Sequence, residues 1–386
     1  MSEPAKESVL ALLRDEGLAL INRRTLKSVA LSPLDRAELE AATKSPDCTP
    51  PTWLPNAFEA IGAKFAAQSW IASITMRPKC KFDFRRIAWE ITERCNFRCV
   101  HCYLDQKCAP GLPLQKRILL LDRLVEIGGI WLQLTGGEAL SDPHFEATYR
   151  AAWERGFLVT VSTNAMFLSS WIDLFRELPP KRVVISLYGG SNQTYAAMTG
   201  EARQAYDRVA GSIRLASTAG LRLRVSVIAT KLNRHEIESM EAFLREVRAP
   251  YHIYTRISPT LAGNPTPMEQ MANIGRPATF FRENNRCAGG VLALHVHPSG
   301  RASPCKHLTG ISADLFSGDD EQLRALSKHP GCDAPSDRCA NCRAASQCTT
   351  CGPILRLYEK AGIVPAYVCA AHPSNEQMLV ESGVKD

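Results

Sequence analysis

Three cysteines, Cys95, Cys99 and Cys102, share one short stretch in C-x3-C-x2-C spacing, directly after the apolar run Ile87–Thr92. Three thiolates on one tight loop suit three irons of a cubane [4Fe–4S] cluster, for which Cys thiolate is the usual ligand. A fourth iron is then left open to a small molecule, which makes such a cluster a chemical centre and not only an electron carrier. The competing reading is a zinc knuckle with His101 as a further ligand, because structural zinc takes four. Of the 14 cysteines, none lies between Cys108 and Cys287; Cys287, Cys305, Cys332, Cys339, Cys342, Cys348, Cys351 and Cys369 then follow. Taken alone, Cys339-x2-Cys342-x5-Cys348-x2-Cys351 also fits a zinc ribbon. Cys48, Cys80 and Cys108 have no partner by spacing and read as ordinary thiols. His101, His144, His295, His297 and His307 show no spacing that demands a role.

The elements that position these groups follow from the pattern. The 386 residues suggest two or three domains. With 45% hydrophobic and 22% charged residues, the composition excludes a disordered chain, a coiled coil and a collagen-like repeat. No apolar run approaches the roughly 18–20 residues of a membrane span, so no membrane partner is expected. Met1-Ser2-Glu3-Pro4-Ala5-Lys6-Glu7 is not a secretory signal. A cytoplasmic location is expected, where thiols stay reduced and clustered cysteines bind metal. The charge of +7 permits an acidic partner without establishing nucleic-acid binding, and none is expected.

Residues 1–78 read as a separate unit. Gly17–Asn22 and Lys27–Leu31 predict a strand pair, and Ser32-Pro33 starts a helix as N-cap and first helical residue. A second helix is predicted over 57–71. From Ile87, strands (87–92, 130–135, 158–163, 182–187, 223–230, 251–257) alternate with helices (114–127, 142–155, 171–178, 206–219, 234–247). That alternation predicts an α/β fold with a parallel sheet and right-handed crossovers, open or barrel-like.

The cysteine loop resembles the radical S-adenosylmethionine (SAM) family. The resemblance extends over the six βα elements, which in that family form a partial (β/α)6 TIM-like barrel over residues 79–265. Leu134-Thr135-Gly136-Gly137-Glu138-Ala139 is similar to the family's GGE motif, where the backbone and acid bind the SAM amino group. The resemblance also implies Tyr103 near the cofactor, ribose contacts from Ser162 and Asn164, and a carboxylate contact from Ser186. Helix capping is the alternative for Ser162 and Asn164, and a purely structural role the alternative for Ser186. In the family, the amino and carboxylate groups of SAM chelate the open iron. One electron then cleaves the sulfonium to methionine and a 5′-deoxyadenosyl radical, which abstracts a hydrogen atom from substrate.

Residues 266–386 are similar to the SPASM extension, which holds two auxiliary iron–sulfur clusters. Twelve residues separate Cys287 from Gly300, and Gly300-x4-Cys305 follows, as in that pattern. Two residues separate Cys348 from Cys351, where the pattern has three. The resemblance implies Cys287, Cys305 and Cys351 on the first auxiliary cluster, and Cys339, Cys342, Cys348 and Cys369 on the second. Cys332 is the spare candidate for a fourth ligand of the first.

SPASM proteins commonly modify peptides. The N-terminal unit is similar to a small winged-helix-like leader-peptide recognition domain, which takes up a leader as an edge strand; a barrel-capping extension is the alternative. Arg23, Arg24 and Lys27 are expected to be exposed and to suit acidic leaders. The resemblance implies an oxidoreductase-type maturase of ribosomally made peptides, giving a cross-linked, dehydrogenated or epimerised product. Its partners would be a precursor peptide with leader and an electron donor such as a flavodoxin or ferredoxin. A small-molecule radical SAM dehydrogenase or epimerase is the runner-up. A sulfatase-activating maturase and a non-enzymatic iron–sulfur or zinc-ribbon binding protein stand behind it.

Overall fold

In the computed structural model, residues 9–14, 17–201, 204–274, 287–308, 310–328 and 350–369 are described. An N-terminal sheet is built from β1 (Val9–Arg14), β2 (Gly17–Asn22) and β3 (Ser28–Leu31). Helices α1 (Pro33–Lys44), α2 (Leu54–Ala60) and α3 (Trp70–Ser73) lead to β4 (Ile74–Arg77), which pairs parallel to β1. The strand order is β3-β2-β1-β4, leaving β3 as an edge. Ser32 caps α1 through a capping box with Asp35, and Pro33 enters the first turn. The helix predicted over 57–71 is instead two short helices. Gly62, at φ +66° in the left-handed region, ends α2, and the amide of Ala63 closes back on Phe58 O.

The second sheet carries the site. Along the chain come β5 (Arg86–Thr92), α4 (Leu114–Glu126), β6 (Trp131–Gly136), α5 (Phe145–Glu154), β7 (Leu158–Thr163), α6 (Ile172–Glu177) and β8 (Arg182–Leu187). Then follow α7 (Asn192–Thr199), α8 (Ala205–Thr218), β9 (Leu223–Ile228), α9 (Ile237–Glu246) and β10 (Tyr251–Tyr254). Strands β5 to β10 are parallel in sequential order, as the alternation predicted. The fold is mixed α/β, and no closed barrel forms among the described residues, as expected of a partial barrel. Three further strands extend the sheet beyond β5: β11 (Ala293–Val296), β12 (Arg301–Ser303) and β13 (Ala313–Asp314). Helices α10 (Asp320–Lys328) and α11 (Gly352–Lys360) complete the described chain.

One face of each barrel strand is apolar and packs under the helices: Ile87 and Trp89, Leu132 and Leu134, Val159 and Val161, Val183 and Ile185, Val225 and Val227, all at most 2% exposed. Each such aliphatic side chain contributes about 1.5–3 kcal/mol by leaving water. The alternate residues are small or polar, among them Gln133, Thr135, Thr160, Ser162, Ser186 and Ser226. Parallel strands covered on both faces usually read as continuous apolar runs. The alternation here leaves the other face lining a hollow, with cavities of about 320 and 360 Å³ along it.

The N-terminal sheet docks at the opposite end, where these strands begin. Leu10 and Leu12 pack on Ile130 and Leu158. Arg23, expected at the surface, is 1% exposed: its guanidinium lies 3.6 Å over the Trp153 ring and donates to Phe157 O at 3.1 Å. Arg24 donates to Glu177 O at 2.8 Å, and Arg222 donates to Arg24 O at 2.7 Å. Both arginines therefore fasten two units together, and of the expected basic surface Lys27 alone is left exposed. The reason is chemical: a planar guanidinium can stack on an aromatic ring and satisfy carbonyls at once, which favours its burial at an interface.

Candidate functional site

The cysteine loop leaves the C-terminal end of β5, on the rim where parallel α/β architectures present ligands. Its three sulfurs feel one another electrostatically: Cys95 and Cys99 both sense Cys102, and Cys99 senses Cys95. Burial raises the Cys95 thiol and pushes Cys99 up to about 12, while Lys107 pulls both down. Lys107 is held here by donating to Phe97 O at 2.7 Å. Converging thiols that resist ionisation in isolation fit a group that brings positive charge, as an iron cluster does. The His101 ring packs 5.0 Å from Tyr188. Burial drops His101 to about 4, and its Nδ1 lacks a hydrogen-bond partner.

The GGE turn is locked to this loop by backbone. Gly137 N donates to Thr92 O at 2.8 Å, and Glu138 N to Arg94 O at 2.9 Å. Gly136 has φ +133°, and a Cβ there would meet Thr92 O at 1.9 Å; one on Gly137 would meet the carbonyls of Glu93 and Arg94 at 2.3 Å. Only glycine lets the two turns approach this closely.

Glu138 is fully buried and points across to β7. Its carboxylate accepts from Thr163 Oγ1 at 2.7 Å, Asn164 N at 2.6 Å and Leu140 N at 2.9 Å. Burial pushes it up to about 7, the three donors acting in the other direction. Asn164 continues the link, donating from Nδ2 to Asn96 Oδ1 at 2.8 Å and lying 4.0 Å from Cys95 Sγ. Glu138 and Asn164 thus tie the second and third strand ends to the cysteine loop. Arg117 braces the same turn from below, pairing with Asp142 through two bonds of 2.8 and 2.9 Å, both side chains 1% exposed.

Ser162 and Ser186 both face the hollow, half-buried. Ser162 accepts from Gln133 Nε2 at 2.7 Å, Asn164 Oδ1 accepts from Met166 N at 3.0 Å, and the next α-helix, α6, starts after Trp171 with no side-chain cap. Tyr103 sits beside the loop, its hydroxyl donating to Glu90 Oε1 at 3.2 Å, with Lys306 Nζ 4.2 Å over its ring.

Of the C-terminal cysteines, Cys305 senses both Cys351 and Cys287, and burial raises its thiol. Cys369 packs against Met268, Leu355, Tyr358 and Val364. Cys332, Cys339, Cys342 and Cys348 lie outside the described residues. Cys48 and Cys108 are exposed, and Cys80 is half-buried.

Glu90, His295 and His297, which their spacing does not single out, gather on one face beside Tyr103. The available signal was His295 and His297 two apart in a strand, hence on one face; the pairing of that strand with β5 was not legible.

Among relatives, an AdoMet-dependent heme synthase of Methanosarcina barkeri is 28% identical over 204 residues, 52% of this chain and 58% of that protein. The subtilosin biosynthesis protein AlbA of Bacillus subtilis is 25% identical over 170 residues, 43% of this chain and 38% of that protein. The chain therefore spans well under two thirds of the length of these curated relatives. Among solved structures, Streptococcus suis SuiB bound to S-adenosylmethionine superposes with TM-score 0.58 at 16% identity, covering 95% of this chain and 100% of SuiB. The structure of anSMEcpe with bound AdoMet gives TM-score 0.53 at 12% identity, covering 77% of this chain and 93% of that one. Both likenesses show a shared fold. Residues 89–247 match the family described as the Radical SAM superfamily. The cysteine loop, the GGE turn and the strand ends that meet it all fall inside that match, so residues 89–247 are similar to the radical SAM superfamily where the candidate site lies.

Proposed function

We propose that this radical SAM enzyme modifies a peptide, as an oxidoreductase-type maturase with a SPASM-like C-terminal region. Cys95, Cys99 and Cys102 would hold the [4Fe–4S] cluster, which when bound supplies the electron that cleaves SAM to a 5′-deoxyadenosyl radical. Gly136 and Gly137 bring the turn backbone against the loop so that the amino end of SAM can approach it. Glu138 and Asn164 fix the strand ends; Tyr103, Ser162 and Ser186 line the place for the rest of the cofactor. The apolar strand faces keep water out from behind, and the polar hollow admits substrate. Cys287, Cys305 and Cys351 would hold a first auxiliary cluster, with Cys332 the candidate fourth ligand. Cys339, Cys342, Cys348 and Cys369 would hold a second. The domains would be residues 1–78, 79–265 and 266–386, and an external reductant such as a flavodoxin or ferredoxin would feed the clusters.

One observation carries the peptide reading: a small sheet whose edge strand, β3, has no partner on its outer side among the described residues is fastened to the barrel by Arg23 and Arg24. An edge strand of alternating exposure is a template on which an extended leader can add. The precursor peptide bound to SuiB, and the subtilosin pathway of AlbA, lend this reading support by likeness. Short precursor peptides encoded beside this gene, incubated anaerobically with reconstituted enzyme, SAM and reductant, are expected to lose two hydrogens or to invert a centre. Unchanged peptides despite SAM cleavage would refute it. The second reading, an anionic small molecule, is favoured by Arg86, Lys181, Arg182 and Arg224 around the hollow at the strand starts.

A further inference from the structure

One cluster of ligating side chains converges outside the cysteines. Strands β5 and β11 run parallel with Val296 beside Trp89, so Glu90 and His297 follow at one level. His295 and His297, two residues apart, share a face of β11. One carboxylate oxygen and one nitrogen from each ring lie within 4.8 Å of one another. Glu90 is 4% exposed and His295 7%, with His297 half-buried. His295 Nε2 stands 3.5 Å from Glu90 Oε2, and the two imidazole centroids are 4.8 Å apart.

The groups behind the cluster orient it. The Tyr103 hydroxyl donates to Glu90 Oε1 at 3.2 Å, leaving Oε2 toward the histidines. Ser303 Oγ donates to Cys305 O at 3.0 Å and lies 3.1 Å from His297 Nε2. With its one proton committed, Ser303 accepts from Nε2–H, which leaves the lone pair on Nδ1 of His297. Fixing the tautomer from behind in this way is how metal-binding histidines are usually aimed.

We propose that Glu90, His295 and His297 form a divalent-metal site of the two-histidine, one-carboxylate kind, suited to Zn²⁺ or Fe²⁺ and separate from the cysteine-bound iron. Ligand bonds of about 2.0–2.1 Å require the donor atoms to close to roughly 3.3 Å, which side-chain torsions can supply. Three protein ligands leave a position open. Glu90 pairs in register with Thr135 on the hollow's face, so that position opens toward substrate, where a cation could polarise a carbonyl or hold a carboxylate. Lys306, which senses the charge of Glu90, and Arg301, which His297 senses, oppose a dication here. The competing account is a proton shared between His295 and Glu90.

The test uses the anaerobically reconstituted holoprotein, incubated with equimolar Zn²⁺ and desalted. Elemental analysis is expected to find about one zinc per chain in the wild type, and at least about tenfold less in His295→Gln/His297→Gln with iron unchanged. X-ray absorption at the zinc edge of the wild type is expected to show nitrogen and oxygen neighbours at about 2.0–2.2 Å. No retained zinc, equal zinc in both proteins, or sulfur neighbours at about 2.3 Å would overturn the site. Should the double variant lose iron as well, the wild-type absorption spectrum decides alone: nitrogen and oxygen support the site, sulfur overturns it.

Discussion

Glu138→Gln tests how the site is held. At pH 8 the native side chain is past its raised value of about 7 and accepts three hydrogen bonds as a carboxylate. Glutamine keeps one oxygen and presents an NH2 where the other stood. If the oxygen stays on Thr163 and Leu140, the NH2 meets the Asn164 amide, whose partner was 2.6 Å away. Losing a bond to a charged acceptor costs about 1.5–3 kcal/mol, and an unsatisfied buried donor about 1–3 kcal/mol. Removing a buried charge offsets part of that. A net cost of about 2–3 kcal/mol corresponds to roughly 30- to 150-fold more frequent local opening. The assay is amide exchange by mass spectrometry on anaerobic holoprotein at pH 8, following peptides across residues 138–141 and 160–168. Faster exchange in both segments is expected, and because Asn164 reaches Asn96 and Cys95, so is lower iron retention. Acceleration below about threefold in both segments would refute the bracket formed by these three bonds.

Two further predictions rest on charges held by specific partners. Arg117→Met leaves Asp142 buried without its partner, a loss of about 3–5 kcal/mol. The midpoint of an anaerobic thermal melt should fall by about 6 °C or more, and a fall under about 2 °C would contradict the pairing. Glu236 accepts from Gly190 N at 2.7 Å and Ser191 Oγ at 2.6 Å. Burial raises its pKa, but these bonds hold it below the ordinary value of 4.5. Its stabilisation is therefore present above about 4.5 and lost as pH falls through the lower folded value. Melts of wild type and Glu236→Gln should converge in acid, and parallel pH profiles would contradict this.

The parallel order of β5 to β10 was legible because each strand is short, rich in branched residues and followed by a helical period. The cysteine loop and GGE turn were legible because their residue types are demanded by chemistry at fixed spacing. Other features depend on tertiary contact. Arg23 looks like a surface charge until Trp153 supplies a ring to stack on. Helix α2 stops where Gly62 turns left-handed, a choice that Ala57–Ile71 composition does not announce. Strand β11 joins β5 across just over two hundred residues, so Glu90 and the two histidines share no local pattern. The reach of Glu138 to Thr163 and Asn164 depends on which way one side chain turns at the strand end.

On the function proposed, Cys95, Cys99 and Cys102 support radical chemistry on SAM. The most direct test is chromatographic assay of 5′-deoxyadenosine after anaerobic reconstitution with iron and sulfide and incubation with SAM and a strong reductant. Wild-type protein is predicted to form it, and Cys95→Ala is predicted to form none above the enzyme-free blank. A wild-type protein that binds iron yet forms no 5′-deoxyadenosine, or a Cys95→Ala variant that forms as much as wild type, would contradict the account.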